Sequence, residues 1–365
     1  MKRVVIVGAS LAGVRTASAL RREGFSGEIT VIGDEPHLPY DRPPMSKQVL
    51  QGKWGIEKTG LLSTEQLTEL GAEWILGDAA QQLDVSSRTI RTKSGREVEG
   101  TYVVIATGAR ARRLPFSADN EIFTMRTLDD AQQLAATCDS LPQRATVAVI
   151  GGGFIGAEVA TALHARELRP IVLEAQARPL QGVVGEEVAT WLEGLPGAAG
   201  IELRVNQNVL DVVRTPSGFQ VILADGPMEA DAVVAGVGAV PNCEWLESSG
   251  VAIQRGLVVD EYLLAAPGIY GAGDVAVFPF TSAGETEHVR IEHWQIANDH
   301  ASYIARSILT DESQPFTTVP YFWSDQYGKK IQMLGHPRPS DEVTIVSGSP
   351  EDGDRKSTRL NSSHV

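Results

Sequence analysis

Two stretches of this chain decide its fold, and they read RVVIVGASLAG at residues 3–13 and TVAVIGGGFIGAE at residues 146–158. Each is an apolar run that leads into a glycine-rich loop and then into residues with helical spacing, which predicts a strand, a tight turn and a helix. Such a turn lets the backbone approach a pyrophosphate, and the helix N-terminus supplies N–H donors and a positive dipole end. One glycine triplet is equally typical of a purely structural turn. Two complete copies predict two dinucleotide sites in one chain.

An acidic residue follows each glycine loop at the spacing of about 20 residues that dinucleotide binding requires. Asp34 comes after the run EITVI, and Glu174 comes after PIVL. A carboxylate there accepts hydrogen bonds from ribose hydroxyls and repels a 2′-phosphate, so Glu174 predicts NADH rather than NADPH, with Arg178 as the nearby residue that could weaken this preference. Ser10 replaces the middle glycine of the first loop, and we expect its small side chain to leave binding intact.

The composition argues against several classes of protein. The formal net charge of −14 disfavours nucleic acid, whose phosphates would be repelled. No apolar stretch approaches the ~20 residues that cross a bilayer, and the first strand leaves no room for a signal peptide. We therefore expect a cytoplasmic protein without nucleic-acid or membrane partners. Cys138 and Cys243 lie far apart, which disfavours a disulfide scaffold, a metal site and a redox-active cysteine pair; we expect two buried, inert thiols.

The order of elements in the first 113 residues repeats in residues 114–243, which indicates an internal duplication. We expect an α/β fold with helices near residues 12–23, 155–166 and 297–309. The predicted domains are residues 1–113 with 244–314, residues 114–243, and a partial α+β domain at residues 315–347. Residues 348–365 have no apolar period and predict a disordered or non-native tail.

Seven further motifs complete the pattern, and with the two glycine loops they make the chain resemble a known family. The family is that of the FAD-dependent, NADH-linked ferredoxin reductases of the putidaredoxin reductase type, which serve aromatic-ring dioxygenases and bacterial cytochromes P450. The resemblance implies two Rossmann-like domains, for FAD and NAD, of the glutathione-reductase type. The motifs are LPYDRPPMSK (38–47), ATG (106–108), RTLDD (126–130), GVGAVPN (236–242), GAGD (271–274), RIEHW (290–294) and FWSDQY (322–327).

The resemblance also implies the residues that hold the cofactors. The ADP half of FAD belongs to the first loop, the flavin half to later motifs, and NADH to the second loop. For FAD the implied residues are Gly8, Ser10, Ala12, Gly13, Asp34, Glu35, Arg42, Lys47, Gly108, Arg126, Gly273, Asp274, His293, Trp294 and Trp323. For NADH they are Gly151, Gly153, Ile155, Gly156, Glu174 and Gly238.

Lys47 and Glu158 are the implied catalytic pair, in the sense that they tune the flavin rather than exchange protons with it. Taken alone, Arg42 and Lys47 would be interpreted as a solvated loop. Glu158 could simply favour the start of its helix, and buried tryptophans usually only pack.

The implied activity is transfer of hydride from NADH to FAD, followed by release of single electrons to a ferredoxin that serves an oxygenase. Without a cysteine pair, electrons would leave the flavin directly. Rubredoxin reductase and a slow NADH-binding flavoprotein like apoptosis-inducing factor are the alternatives; an NADH oxidase or peroxidase would need a cysteine near residues 43–50, where none occurs.

Two expectations concern the ferredoxin and the C-terminal domain. An acidic ferredoxin would need a local basic surface, for which the candidates are Arg110, Arg112, Arg113, Lys329, Lys330 and Arg338. The family continues beyond the aromatic block with further strands and a helix. We therefore expect this chain to aggregate or to lose FAD more readily than a relative with a full third domain.

Overall fold

The computed structural model of the chain describes residues 2–282, 284–310, 314–337, 341–349 and 354–360. It divides into two compact units. Unit 1 comprises Met1–Asp41, Thr59–Arg110 and Ala239–Phe322, and unit 2 comprises Arg42–Lys58, Ala111–Gly238 and Trp323–Val365. These boundaries lie close to the expected ones after residues 113 and 243. The difference is Arg42–Lys58, which packs with unit 2 although its sequence neighbours lie in unit 1.

The helices and strands are numbered in chain order. The α-helices of the described residues are α1 (Leu11–Arg22), α2 (Thr64–Glu69), α3 (Leu128–Ser140), α4 (Phe154–His164), α5 (Gln181–Val184), α6 (Glu186–Ala198) and α7 (Trp294–Leu309). The strands before α4 are β1 (Arg3–Val7), β2 (Glu28–Ile32), β3 (Ala72–Ile75), β4 (Ala80–Asp84), β5 (Thr89–Thr92), β6 (Glu97–Glu99), β7 (Tyr102–Ile105), β8 (Ala109–Ala111) and β9 (Thr146–Ile150). Those up to residue 241 are β10 (Arg169–Leu173), β11 (Glu202–Arg204), β12 (Val209–Thr215), β13 (Gly218–Leu223), β14 (Gly226–Ala230), β15 (Ala232–Ala235) and β16 (Ala239–Pro241). The later strands are β17 (Leu257–Val258), β18 (Leu264–Ala266), β19 (Ile269–Gly271), β20 (Ala276–Ser282), β21 (Glu285–Val289), β22 (Tyr321–Gln326), β23 (Lys329–Leu334), β24 (Glu342–Ser349) and β25 (Asp354–Leu360).

Unit 1 is built on a sheet with the order β18-β19-β7-β1-β2-β3, parallel except for the β18–β19 pair. Its central strands β1, β2 and β7 are buried at every residue after the first, as is typical of a parallel sheet that is covered on both faces. Helix α1 packs closely against α7, which begins at Trp294, three residues before the expected position at residue 297. Together these elements form one apolar core that includes Ile6, Leu20 and Ile304.

Unit 2 repeats this plan with the parallel sheet β11-β10-β9-β15. Each unit adds a three-stranded antiparallel sheet, β4-β5-β6 in unit 1 and β12-β13-β14 in unit 2. The duplication expected from the sequence therefore extends to the accessory hairpins, whose turns fall where the glycine-containing turns at residues 93–95 and 225–226 predict them.

The C-terminal part of the described chain differs from the expected tail. β24 pairs in antiparallel register with β25, from Glu342 opposite Leu360 to Ser349 opposite Asp354. Backbone hydrogen bonds can pair two strands whose apolar residues do not alternate regularly, which is why the sequence pattern did not indicate the β24–β25 pair. Residues 361–365, also assigned to the tail, lie outside the described residues.

Candidate cofactor sites

The first glycine loop, residues 8–13, forms a tight backbone cradle at the end of β1. Gly8 adopts φ +126°, and a Cβ there would lie 2.1 Å from the carbonyl oxygen of Ala106. A Cβ on Gly13 would lie 1.8 Å from the carbonyl oxygen of Gly8. Neither position can accept a side chain without moving the backbone. The Gly8 N–H donates to the Ile32 carbonyl at 2.7 Å, which anchors this first cradle to β2.

The second loop, residues 151–156, forms the same cradle in unit 2. Gly151 adopts φ +99°, and a Cβ there would lie 2.5 Å from the Gly236 carbonyl oxygen. A Cβ on Gly156 would lie 2.0 Å from the Gly151 carbonyl oxygen. The Gly151 N–H donates to the Leu173 carbonyl at 2.8 Å. The two cradles therefore use the same backbone contacts, with a glycine at the same two positions of each loop, Gly8 and Gly13 in the first and Gly151 and Gly156 in the second.

The helices that follow the cradles begin without a side-chain cap. Ser10 precedes α1 and Gly153 precedes α4, and neither makes a side-chain cap hydrogen bond. By contrast, α2 and α3 each begin with a capping box, formed by Ser63 with Gln66 and by Thr127 with Asp130. The first N–H groups of a helix need an acceptor. At both cradles the residue that precedes the helix provides no side-chain acceptor, so an external group such as a pyrophosphate can serve as one.

The acidic residues after the cradles lie in different surroundings. Glu174 is held by backbone donors on both oxygens: Oε2 accepts from the Gly152 N–H at 2.7 Å and Oε1 from the Gln176 N–H at 2.8 Å. Asp34 is exposed, whereas the neighbouring Glu35 is half-buried and accepts a 2.5 Å hydrogen bond from the Tyr40 hydroxyl. Arg178 forms 3.3 Å ion pairs with Glu186 and Glu193, so its charge is already engaged by carboxylates.

The Gly273–Asp274 turn of unit 1 is positioned from two sides. The Gly273 N–H donates to Nδ1 of the fully buried His300 at 3.1 Å, and Arg290 Nη1 donates to the Asp274 carbonyl at 3.1 Å. A Cβ on Gly273 would lie 3.0 Å from the Cβ of Ala12. Burial lowers the pKa of His300 to about 3, so the imidazole is neutral and Nδ1 accepts. His300 therefore fixes this turn against the first cradle.

Other expected residues of unit 1 lie on the elements that frame this turn. Gly108 follows β7 with a left-handed φ of +64°. His293 precedes α7, and its ring lies 5.1 Å from that of Phe322. Trp294 Nε1 donates to Asp41 Oδ1 at 3.0 Å, and the Arg15 guanidinium lies 5.9 Å from the Trp294 ring. Trp294 is therefore positioned by one hydrogen bond from its ring nitrogen and by a cation beside its ring.

Glu158 lies in α4 and is 5% exposed. The Lys47 ammonium lies 2.8 Å from its Oε2, and the Ser46 hydroxyl donates to the same oxygen at 2.6 Å. The Ser324 hydroxyl donates to Oε1 at 2.7 Å. Lys47 belongs to a π-helical turn, Met45–Val49, that packs on α3 and α4; such turns are frequent at functional sites. The structure thus brings the predicted Lys47–Glu158 pair together.

The remaining expected residues belong to unit 2. Arg42 begins the segment that carries Lys47, and Arg126 precedes α3, where its N–H donates to Asp130 Oδ2 at 2.9 Å. Ile155 is exposed in the first turn of α4, and Trp323 is half-buried in β22. Gly238 follows β15 with φ +94°, as Gly108 follows β7.

Sequence reasoning missed three residues of these sites, Ser46, Ser324 and His300. Ser46 and Ser324 lie inside the motifs PPMSK and FWSDQY, but a serine carries no pattern that would assign it a partner. His300 lies inside the predicted helix. Its position as a polar residue on the apolar face of that helix could have indicated a buried hydrogen-bonding role.

Several of the basic candidates for a ferredoxin surface are already paired. Arg110 pairs with Glu244, and Arg113 donates to the Asp119 carbonyl. Arg112, Lys329 and Lys330 are exposed. Arg338 lies outside the described residues.

Neither a metal site nor a membrane-spanning helix is found in the described part of the chain. No group of three or more His, Cys, Asp or Glu side chains there could hold a metal ion. Within the same residues, no helix is both long and apolar enough to cross a membrane. Cys138 and Cys243 are free and buried, and burial raises the pKa of the Cys138 thiol to about 11.

A family model described as pyridine nucleotide-disulphide oxidoreductase matches residues 2–301. The chain belongs to this family. A second model, described as reductase C-terminal, matches residues 321–364 and so extends through the segment expected to be non-native.

Relatives and solved structures agree with this membership. The chain is 34% identical to rhodocoxin reductase of Rhodococcus erythropolis, over 96% of this chain and 82% of the relative. It is 35% identical to the ferredoxin–NAD(+) reductase subunit of the benzene 1,2-dioxygenase system of Pseudomonas putida, over 91% of this chain and 80% of the relative. In the crystal structure of a covalent putidaredoxin reductase–putidaredoxin complex, the matching chain is 31% identical with a TM-score of 0.92, over 99% of this chain and 87% of that chain. The predicted family and the α/β fold are confirmed.

Proposed function

We propose that this protein is an FAD-dependent NADH:ferredoxin oxidoreductase that supplies electrons to an oxygenase, either a dioxygenase or a cytochrome P450. One observation carries the proposal: a single chain holds two equivalent cradles, each with an uncapped helix and an acidic residue, together with an ion pair between Lys47 and the buried Glu158. Relatives named as ferredoxin–NAD(+) reductase components of dioxygenase systems support the electron acceptor.

The residues present fit FAD at the first cradle and NADH at the second. A Cβ would fill either cradle, and the uncapped first turns of α1 and α4 present N–H donors for pyrophosphates. We assign the first cradle, with Asp34, Glu35, Gly108, Gly273 and Asp274, to FAD. His293, Trp294, Arg42, Arg126 and Trp323 are assigned to the same cofactor. The second cradle, with Ile155, Glu174 and Gly238, is assigned to NADH.

Bound FAD would accept hydride from NADH and release electrons one at a time. The chain's own contribution is binding, orientation and charge. Glu158 neutralises and orients the Lys47 ammonium, whose remaining contact within 3.5 Å among the described residues is the Pro43 carbonyl at 3.4 Å. An ammonium has three donors, so Lys47 retains a donor for an acceptor outside the chain. A positive charge held there would stabilise negative charge on a bound cofactor.

The second site favours NADH over NADPH. Two backbone N–H donors fix the orientation of the Glu174 carboxylate. A 2′-phosphate would meet this carboxylate, whereas a 2′-hydroxyl can donate to it. Arg178 cannot readily compensate, because Glu186 and Glu193 already hold it.

We place the protein in the cytoplasm. Both of its cysteines are free thiols, and free thiols persist in reducing compartments. Purification of the protein from fractionated cells of its source would test this assignment.

An anaerobic titration tests the activity. The purified protein should be yellow, NADH should bleach the flavin within fractions of a second, and a ferredoxin should restore the colour. Bleaching that takes minutes would favour an NADH-binding flavoprotein like apoptosis-inducing factor. Faster reoxidation by rubredoxin than by ferredoxin would favour a rubredoxin reductase. Folded protein that takes up no flavin would contradict the proposed function and both of these alternatives.

A further inference from the structure

The carboxylate of Glu158 is surrounded by hydroxyl donors from two distant parts of the sequence. Ser46 comes from the π-helical turn and Ser324 from β22, and both donate to Glu158. The three side chains are at most 5% exposed. Bulk water does not reach these groups, and each hydrogen bond is part of how this buried carboxylate is satisfied.

The two hydroxyls act on different oxygens. Ser324 occupies Oε1, whereas Ser46 shares Oε2 with Lys47. The terminal torsion of a glutamate has a broad energy minimum, so one hydrogen bond would leave the carboxylate free to swing. Donors on both oxygens fix its plane and, through it, the position of the Lys47 ammonium.

The Ser324 hydroxyl is itself oriented. An ionised carboxylate can only accept, so the serine proton must point at Glu158. Gln326 Nε2 in turn donates to Ser324 Oγ at 3.4 Å. Residues of β22 therefore form a short chain of donors that ends on Glu158.

We infer that Ser324 and Ser46 are positioning residues that hold Glu158, and hence Lys47, in place for the flavin chemistry. The C-terminal segment that carries Ser324 is thus part of the electron-transfer site, in addition to any part it takes in binding a protein partner. This inference rests on the proposed function.

The chain offers a matched control for the loss of Ser324. Thr161 also lies in α4, and its Oγ1 accepts from the N–H of Tyr327, the residue that follows β22, at 2.9 Å. Thr161→Val therefore removes a hydroxyl contact between the same two elements without touching Glu158. If Ser324 merely docked β22 onto α4, Ser324→Ala and Thr161→Val would have the same consequences.

The experiment compares Ser324→Ala, Ser46→Ala and Thr161→Val as FAD-loaded proteins. We expect either serine variant to slow NADH-driven bleaching by about tenfold and to shift the visible absorption band of the bound flavin. Thr161→Val should lower the melting temperature as much as Ser324→Ala while leaving bleaching within about twofold of the wild type. Adding Ser324→Ala to Glu158→Gln should cause no further slowing, because both act through one carboxylate.

Three results would overturn the inference: unchanged bleaching and spectrum in both serine variants, equal slowing by Thr161→Val, or independent effects of Ser324→Ala and Glu158→Gln. If Ser324→Ala does not fold, Ser46→Ala decides by the same criteria. A wild-type protein that NADH does not bleach would instead refute the proposed function, so the two failures are distinguishable.

Discussion

The two cradles share a backbone but differ in the residue that follows them. Two positions beyond the last cradle glycine, unit 1 carries Arg15 and unit 2 carries Glu158. Arg15 is half-buried beside the Trp294 ring, whereas Glu158 is buried against Lys47 and two serines. Duplicated backbone geometry therefore supplies two similar candidate sites for a pyrophosphate. The side chains that pack around α1 and α4 then give the two sites different chemical properties.

The largest expected effect comes from closing one cradle at a time. Gly13→Ala should abolish FAD retention, because the new Cβ would meet a carbonyl oxygen at 1.8 Å. Gly156→Ala should leave the protein yellow but weaken NADH binding by about 100-fold, the effect of about 3 kcal/mol of overpacking. Flavin absorbance per protein and an NADH titration measure the two losses separately.

The matched control for both is Gly194→Ala in α6, where a Cβ would meet nothing within 4 Å. It should keep both cofactors and gain slightly in stability, since alanine favours a helix. If Gly156→Ala released FAD and Gly13→Ala did not, the assignment of the two cradles would be reversed.

The charged residues beyond the cradles should differ in their effect on stability. Lys47→Met leaves the buried Glu158 carboxylate without its cation and should lower the free energy of unfolding by about 3 kcal/mol. Arg15→Met removes a cation beside a ring and should cost about 1 kcal/mol or less. Urea unfolding at neutral pH measures the free energy of unfolding of both variants. Equal decreases in the two would contradict the expectation that the charge of Lys47 matters more for stability than that of Arg15.

A pH experiment examines His300, the buried histidine whose Nδ1 accepts from the Gly273 N–H beside the first cradle. The pKa of His300 is lowered to about 3 from an ordinary 6.5, so on acidification the unfolded chain takes up this proton first. The contribution of His300 to the free energy of unfolding is fully present above about pH 6.5 and is lost as the pH falls towards about 3. By pH 5 the loss should be about 2 kcal/mol.

His300→Gln provides the comparison, because its amide oxygen can still accept from the Gly273 N–H but does not titrate. The wild type should lose about 2 kcal/mol more than His300→Gln between pH 7 and pH 5. Parallel pH profiles of unfolding free energy for the two proteins would rule out a buried neutral imidazole. FAD retention by His300→Gln but not by His300→Leu would identify the acceptor atom as the feature that holds the turn.

The smallest expected effect distinguishes the two acidic residues. Glu174→Gln removes the charge that repels a 2′-phosphate and should raise the use of NADPH relative to NADH by about tenfold, or about 1.4 kcal/mol. Asp34→Asn in the first cradle should leave this ratio unchanged and affect FAD retention instead. The measurement is the ratio of kcat/KM for NADPH to kcat/KM for NADH in each variant. A change of this ratio in Asp34→Asn would contradict the assignment of Glu174 to the NADH site and Asp34 to the FAD site.

Local patterns predicted much of the fold and part of the sites. The apolar runs, glycine spacings and following acids gave the duplicated strands and cradles, because each depends on residues close in sequence. The Lys47–Glu158 pair came from family resemblance, since 111 residues separate its members. The placement of Arg42–Lys58 in unit 2 and the β24–β25 pairing were not predicted, because both depend on contacts or backbone bonds that leave no periodic signal.

The sequence by itself determined where the backbone must bend tightly enough to receive a pyrophosphate, because only glycine tolerates a carbonyl oxygen about 2 Å from where a Cβ would stand. Tertiary structure alone decided how Glu158 is held: Ser46, Lys47 and Ser324 approach it from segments up to 166 residues away. It likewise decided that His300 is a neutral acceptor, since burial, which no single stretch of sequence contains, sets the charge of an imidazole.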